Sequence, residues 1–182
     1  MEIGISQGTI IEYLTDRLLE AQGFSSEEIK AIAVPKISDR MSLLASGELQ
    51  AAMLPDPLTF LAKQQGAVIV LDDSTIAELS FSTLTFRKAF IEEHHEAVRG
   101  FLAAIEEATT LLNAEPEKYY GLLSEQKLVP ETVLEGYRVG AFPTAGVPTE
   151  AQWNDVMRWA QDKGLLDVAV SYEDSVTGEY LP

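Results

Sequence analysis

Ser6-Gln7-Gly8 is a short polar turn set between an apolar alternation, Ile3 and Ile5, and the tetrapeptide Thr9-Ile10-Ile11-Glu12. That tetrapeptide is a T-x-x-E capping box. It predicts that the Thr9 hydroxyl bonds a free helix N–H while Glu12 reaches back to the Thr9 amide. A strand delivering a glycine turn onto a capped helix aims several N–H groups at one spot, which suits an anion or a polar ligand. An ordinary strand–helix connection has the same pattern, so the turn alone does not assign a function. Asp56, in Pro55-Asp56-Pro57, is a second candidate: it is placed to cap a helix with Pro57 at its first position, or to meet a ligand.

Other reactive residues suggest less chemistry. His94 and His95 are adjacent, and neighbours on a helix point about 100° apart, whereas chelating pairs stand three or four residues apart. They read as a solvated helix face. Asp72-Asp73 and Glu92-Glu93 lack the spaced oxygen ligands of a calcium loop and also read as surface. Lys36 and Arg40 flank a strand-to-helix loop, where a surface role and a ligand role are both open. Trp153 and Trp159, with Val156 and Met157, read as core contacts of the last long helix. No nucleophile–base pair, metal-ligand set or cofactor motif is visible.

These residues are positioned by a strand–helix alternation over the first 73 residues or so. Strands are expected at Glu2–Ser6, Lys30–Val34, Leu49–Leu54 and Ala67–Leu71. Helices are expected at Thr9–Gln22, with Ile10, Tyr13, Leu14 and Leu18 at helical spacing, and at Ser38–Ser46 and Leu58–Gln65, with glycines just beyond their ends. Such alternation implies α/β architecture with a mainly parallel sheet, whose ligands bind beyond the carboxyl ends of the strands. Residues 79–87 carry the β-branched and aromatic content of another strand. Helices then follow at Lys88–Asn113, Pro116–Leu123, Pro130–Tyr137 and Thr149–Lys163, before a mostly polar tail.

Bulk properties narrow the classes. The 182 residues carry a net charge of −16, which disfavours nucleic acid and anionic membrane as partners. With no cysteine there is no disulfide or thiolate-held metal. No apolar run reaches the roughly 18–20 residues of a membrane span, and no signal peptide is expected in this chain.

Taken together, several stretches resemble the solute-binding proteins of ABC importers. They are IGISQGTIIEYLTDRLLEAQGF, VPKISDRMSLLASGELQAAMLPDPLTFLAKQQGAVIVLDD, LTFRKAFIEEHHEAVRGFLAAIEEAT, NAEPEKYY and KGLLDVAVSYEDSVTGEYLP. The branch is the nitrate/sulfonate/taurine one, which includes hydroxymethylpyrimidine binders. The resemblance implies a periplasmic-binding-protein-like (type II) fold, in which two lobes joined by hinge strands close over a small ligand. It implies that residues 1–80 form the α/β ligand-binding lobe, 81–87 a hinge-crossing strand, and 88–182 the helical part of the other lobe. It places ligand contacts at Ser6, Gln7, Gly8, Thr9, Pro55 and Asp56. An ABC permease would be the partner, and the full-length family would act in the periplasm or as a membrane-associated protein outside the cell.

Two departures accompany the resemblance. Gln50 stands where the family usually has Asp, and the family's N-terminal ~100 residues, a domain-sized piece, have no counterpart here. Apolar faces such as Phe90/Phe101/Ile105 are therefore expected to stay exposed or to support a homo-oligomer. The alternatives are an enzyme of pyrimidine-precursor or menaquinone biosynthesis on the same fold, or a ligand-sensing domain.

Overall fold

The computed structural model describes residues 2–182, and their contacts divide into two units. The first runs to Phe81 and takes in Asp155–Ala169; the second comprises Ser82–Asn154 and Val170–Pro182. A partition into continuous stretches, 1–80 and 88–182, does not anticipate that Asp155–Ala169 returns to the first unit.

Three strands build the sheet of the first unit: β1 (Ile3–Ile5), β2 (Ala31–Ala33) and β3 (Ala51–Ala52). They are parallel in the order β2-β1-β3, with Gly4 opposite Ile32 on one side and Ala52 on the other. Gly4 is needed there for space: a Cβ at this position would stand 2.5 Å from Leu49 Cδ2. The connections are helical, namely α1 (Ile10–Ala21) and α2 (Ile37–Ser46), and α3 (Leu58–Gln64) follows β3. The expected α/β pattern is present with shorter strands.

Two expected strands are absent. Ala67–Leu71 joins no sheet, with Val68 and Val70 each 83% exposed. A β-branched run becomes a strand only where a neighbour offers a ladder and a face to pack on. Residues 79–87 likewise form no strand; Ala77–Leu79 is a single tight helical turn, and irregular chain leads on to Arg87.

A seam between α1 and the last long helix, α4 (Glu150–Asp162), closes the core of the first unit. Tyr13, Leu14 and Leu18 pack with Ile76, Trp159 and Ala160, and the Tyr13 and Trp159 rings meet edge-on at 5.4 Å. Ile10, expected on this face, is instead 47% exposed. Polar pairs border the apolar contact. Arg17 grips Asp155 through two bonds of 2.8 and 3.1 Å, and the Tyr13 hydroxyl donates to the same carboxylate at 2.7 Å. Trp159 Nε1 donates to Asp16, and Lys163 bridges Glu12 and Asp16 at 3.0 and 2.9 Å. The expected core role of Trp159 is thus realised, with an ion-paired border that periodicity does not reveal.

In the second unit the expected helix Lys88–Asn113 is broken at His94 into α5 (Lys88–Glu93) and α6 (His95–Ala114). The break lets Phe86 meet Phe101 at 5.8 Å and Phe90 at 6.3 Å. A straight helix would hold residues 88 and 101 about 20 Å apart. The expected helix Pro116–Leu123 becomes a tight turn, Pro116–Tyr119, leading into α7 (Tyr120–Glu125). Pro130–Tyr137 shrinks to α8 (Glu131–Leu134), with Gly136 at φ 89° just beyond it. His95 is not merely solvated: its ring stacks on Tyr180, and Arg99 lies over the same ring at 5.0 Å. On the apolar face of α6 only Val98 is buried, while Phe101 and Ile105 stay 46% and 41% exposed.

Burial and the Asp155 hydrogen bond push the Tyr13 hydroxyl up to about 12. Its neutral form is therefore favoured by folding, a contribution fully present below pH 10 and lost as pH rises towards 12. Wild-type stability should fall by ~2–3 kcal/mol across that window. Tyr13→Phe should flatten this part of the profile in denaturant titrations at stepped pH.

Candidate functional site

The β1–α1 turn lies at the carboxyl end of the central strand, flanked by the loops after β2 and β3. Parallel pairing thus brings the loops at Ser6–Thr9, Pro35–Lys36 and Leu54–Asp56 to one sheet edge. Thr9 caps α1 as expected: its hydroxyl accepts from the Ile11 amide at 3.2 Å and donates to the Ser6 carbonyl at 2.7 Å. The reciprocal half of the capping box differs from expectation. Glu12 reaches past Thr9 and accepts from the Gly8 amide at 2.7 Å. Gly8 adopts φ 67°, which turns its N–H towards α1 and within reach of that carboxylate.

Glu12 is buried, and its charge is answered by Lys163. Desolvation opposes the Lys163 charge, but hydrogen bonds to Asp16 and Glu12 outweigh it and hold this ammonium above its ordinary range. The Gly8 and Ile11 amides are thus engaged within the protein. Those of Thr9 and Ile10 stand at the helix start, where no intrahelical acceptor is available to them. The Gln7, Gly8 and Thr9 side of the turn is exposed, whereas Ser6 is buried.

Ser6 is held from below. Its hydroxyl donates to the Pro35 carbonyl at 3.0 Å and accepts from Arg40 Nη1 at 2.8 Å. Arg40 is fully buried, and desolvation holds its guanidinium below the usual range. Sequence reasoning left Arg40 open between surface and ligand roles; the structure makes it an interior residue of the turn. A signal was present, because Ile37, Arg40, Met41 and Leu44 share one helical face (i, i+3, i+4, i+7). Lys36, considered with it, is an exposed partner of Asp39 at 3.3 Å, an ion pair of little energetic weight.

Pro55 and Asp56 follow β3 on the same sheet edge, but Asp56 does not cap α3. The helix starts at Leu58 with Pro57 in the cap position and no side-chain cap. The Leu58 and Thr59 amides turn instead to the Pro55 carbonyl, and Asp56 remains exposed. Gln50, the departure from the family pattern, is exposed as well. Among the described residues no cluster of three or more His, Asp or Glu is arranged to hold a metal. No helix of the described residues is long and apolar enough to cross a membrane. A shallow hollow of about 310 Å³ in the second unit is lined only by the consecutive residues Ala114–Lys118 and brings no chemistry together.

The model of the NMT1-like family matches residues 1–120. An Escherichia coli (strain K12) protein described as an aliphatic sulfonates-binding protein is 24% identical over 151 residues, 83% of this chain and 47% of that protein. This chain therefore spans about half the length of that relative. The solved periplasmic aliphatic sulphonate binding protein SsuA from Escherichia coli aligns with TM-score 0.72 and 18% identity, over 96% of this chain and 61% of that one. The alkanesulfonate-binding protein SsuA from Xanthomonas axonopodis pv. citri, bound to MOPS, gives TM-score 0.73 and 18% identity, over 97% and 62%. At that identity the likeness establishes the periplasmic-binding-protein fold.

Gly8→Ala should cost about 1–2 kcal/mol, because an L residue at φ 67° is strained and its Cβ would approach Leu165 Cδ2 at 3.3 Å. Gly100→Ala, within α6 and with open space around it, should gain about 0.5–1 kcal/mol. Equal effects of the two substitutions in chemical denaturation would contradict this account of the turn.

Proposed function

The chain belongs to the NMT1-like family, and we propose that it binds a small polar or anionic solute at the β1–α1 turn. The observation that carries this reading is the capped start of α1. There the Thr9 and Ile10 amides, without an intrahelical acceptor, stand at the sheet edge shared with the loops that follow β2 and β3. The relatives described as sulfonate-binding support it, since a sulfonate is a compact anion that such amides serve well. In this reading Ser6, Gln7, Gly8 and Thr9 form the ligand turn, with Pro55 and Asp56 beside it. The protein serves as a solute-binding component that delivers its ligand to an ABC permease, and it carries out no catalysis.

Ligand-induced thermal stabilisation tests this across ethanesulfonate, taurine, nitrate and a hydroxymethylpyrimidine. A binder at 100 times its dissociation constant should stabilise the fold by about 2.7 kcal/mol. Thr9→Ala should weaken that binder about tenfold, the equivalent of one hydrogen bond together with the cap. A shift of the same size in Thr9→Ala and wild type would remove the turn as the site.

A further inference from the structure

Arg40 presents an unanswered charge. Its side chain is 0% exposed, and among the described residues its only side-chain hydrogen bond runs from Nη1 to the Ser6 hydroxyl. Nε and Nη2 are buried without any partner, and Arg40 enters no ion pair among the described residues. A buried cation without a counter-charge is costly, and proteins seldom keep one unless something neutralises it. Of the carboxylates on α1 and α2, Glu12 is committed to Gly8 and Lys163, and Asp39 to Lys36.

The two free donors are not an arbitrary pair. Nε and Nη2 form one side of the guanidinium fork, the side that meets two oxygens of a single acid group in parallel bonds. The third nitrogen is spent on Ser6, which fixes the fork directly behind the turn. The stem lies along β1, with Cγ and Cδ each 3.6 Å from where a Gly4 Cβ would stand, so the fork has little freedom to swing away.

We propose that the Nε–Nη2 edge of Arg40 is an anion clamp behind the β1–α1 turn. It takes a monoanionic group presenting two oxygens, such as a sulfonate, carboxylate or nitrate, and disfavours neutral solutes. This rests on the turn being the binding site and deepens it by assigning the charge of the ligand. Solvent does not reach either nitrogen, so the anion enters by displacing packing around the turn and Leu49. Ser6 then acts as a positioning residue, holding the fork through Nη1 while the opposite edge binds.

Calorimetric titration of the full 182-residue chain compares matched probes: ethanesulfonate with ethanesulfonamide, and acetate with acetamide. Each anion should bind at least about tenfold more tightly than its neutral counterpart. Arg40→Met should weaken ethanesulfonate by about 30-fold or more, as truncating one partner of a buried charge pair does. Its ligand-free melting temperature should stay at or above wild type, since an unpaired buried charge has gone. Arg40→Lys should recover only part of the affinity, because it restores the charge without the fork. Equal binding of sulfonate and sulfonamide, or unchanged sulfonate binding in Arg40→Met, overturns the clamp. A neutral ligand lost in Thr9→Ala but indifferent to Arg40→Met overturns the clamp while leaving the turn as the site. No binding by any probe overturns both. Should Arg40→Met not fold, the Arg40 Nε–H resonance of 15N-labelled wild type decides. It should move with ethanesulfonate and not with ethanesulfonamide, and a resonance unmoved by both refutes the proposal.

Discussion

The hydrogen-bond chain from Arg40 through Ser6 to the Pro35 carbonyl ties three pieces of sequence into one sheet edge. Arg40 comes from α2, Ser6 from the end of β1, and Pro35 from the loop after β2. The strands themselves are only two or three residues long, so few ladder bonds fix where they end. The side-chain chain supplies what the short ladder lacks, a definite position for the β1–α1 turn against its neighbour. It does so by burying a guanidinium, and a buried charge holds its place only when its donors are satisfied. Two of those donors, Nε and Nη2, lack a partner among the described residues.

Behind the turn, the seam between α1 and α4 supplies rigidity of another kind. It combines an aromatic contact with two ion-paired borders, Arg17–Asp155 on one side and Lys163 with Glu12 and Asp16 on the other. In a chain of net charge −16, Lys163 is placed where two carboxylates, Glu12 and Asp16, are buried. Lys163 matters to the turn directly. It answers Glu12, so that this carboxylate can hold Gly8 without leaving an excess negative charge beside the amides of Thr9 and Ile10. The last helix, remote in sequence, therefore sets the electrostatics of the first turn.

Much of this was legible where local signals agreed. Alternation into a glycine turn and a capping box marked β1, the turn and α1. Helical spacing placed Tyr13, Leu14, Leu18 and Trp159 in the core. What escaped reading depends on distant partners. Val68–Leu71 has strand composition but no ladder to join, and the helix break at His94 answers an aromatic cluster that includes Phe86, which lies outside either helix. Glu12 chose Gly8 over Thr9 because the left-handed turn presents that amide to it, a preference decided by backbone geometry rather than residue type. Arg40 was left open between a surface and a ligand role. Its position on the inward face of α2 was readable from helical spacing, but its bond to the Ser6 hydroxyl joins residues 34 apart and has no local signal.

The central claim is that Arg40 and Ser6 act as one unit in organising the turn. A double-mutant cycle on the stability of the ligand-free chain, using Ser6→Ala, Arg40→Met and the double variant, tests this most directly. A coupling of about 1–3 kcal/mol is expected, within the range for groups sharing a hydrogen-bonded network. Additivity within about 0.3–0.5 kcal/mol, as for independent sites, would contradict it.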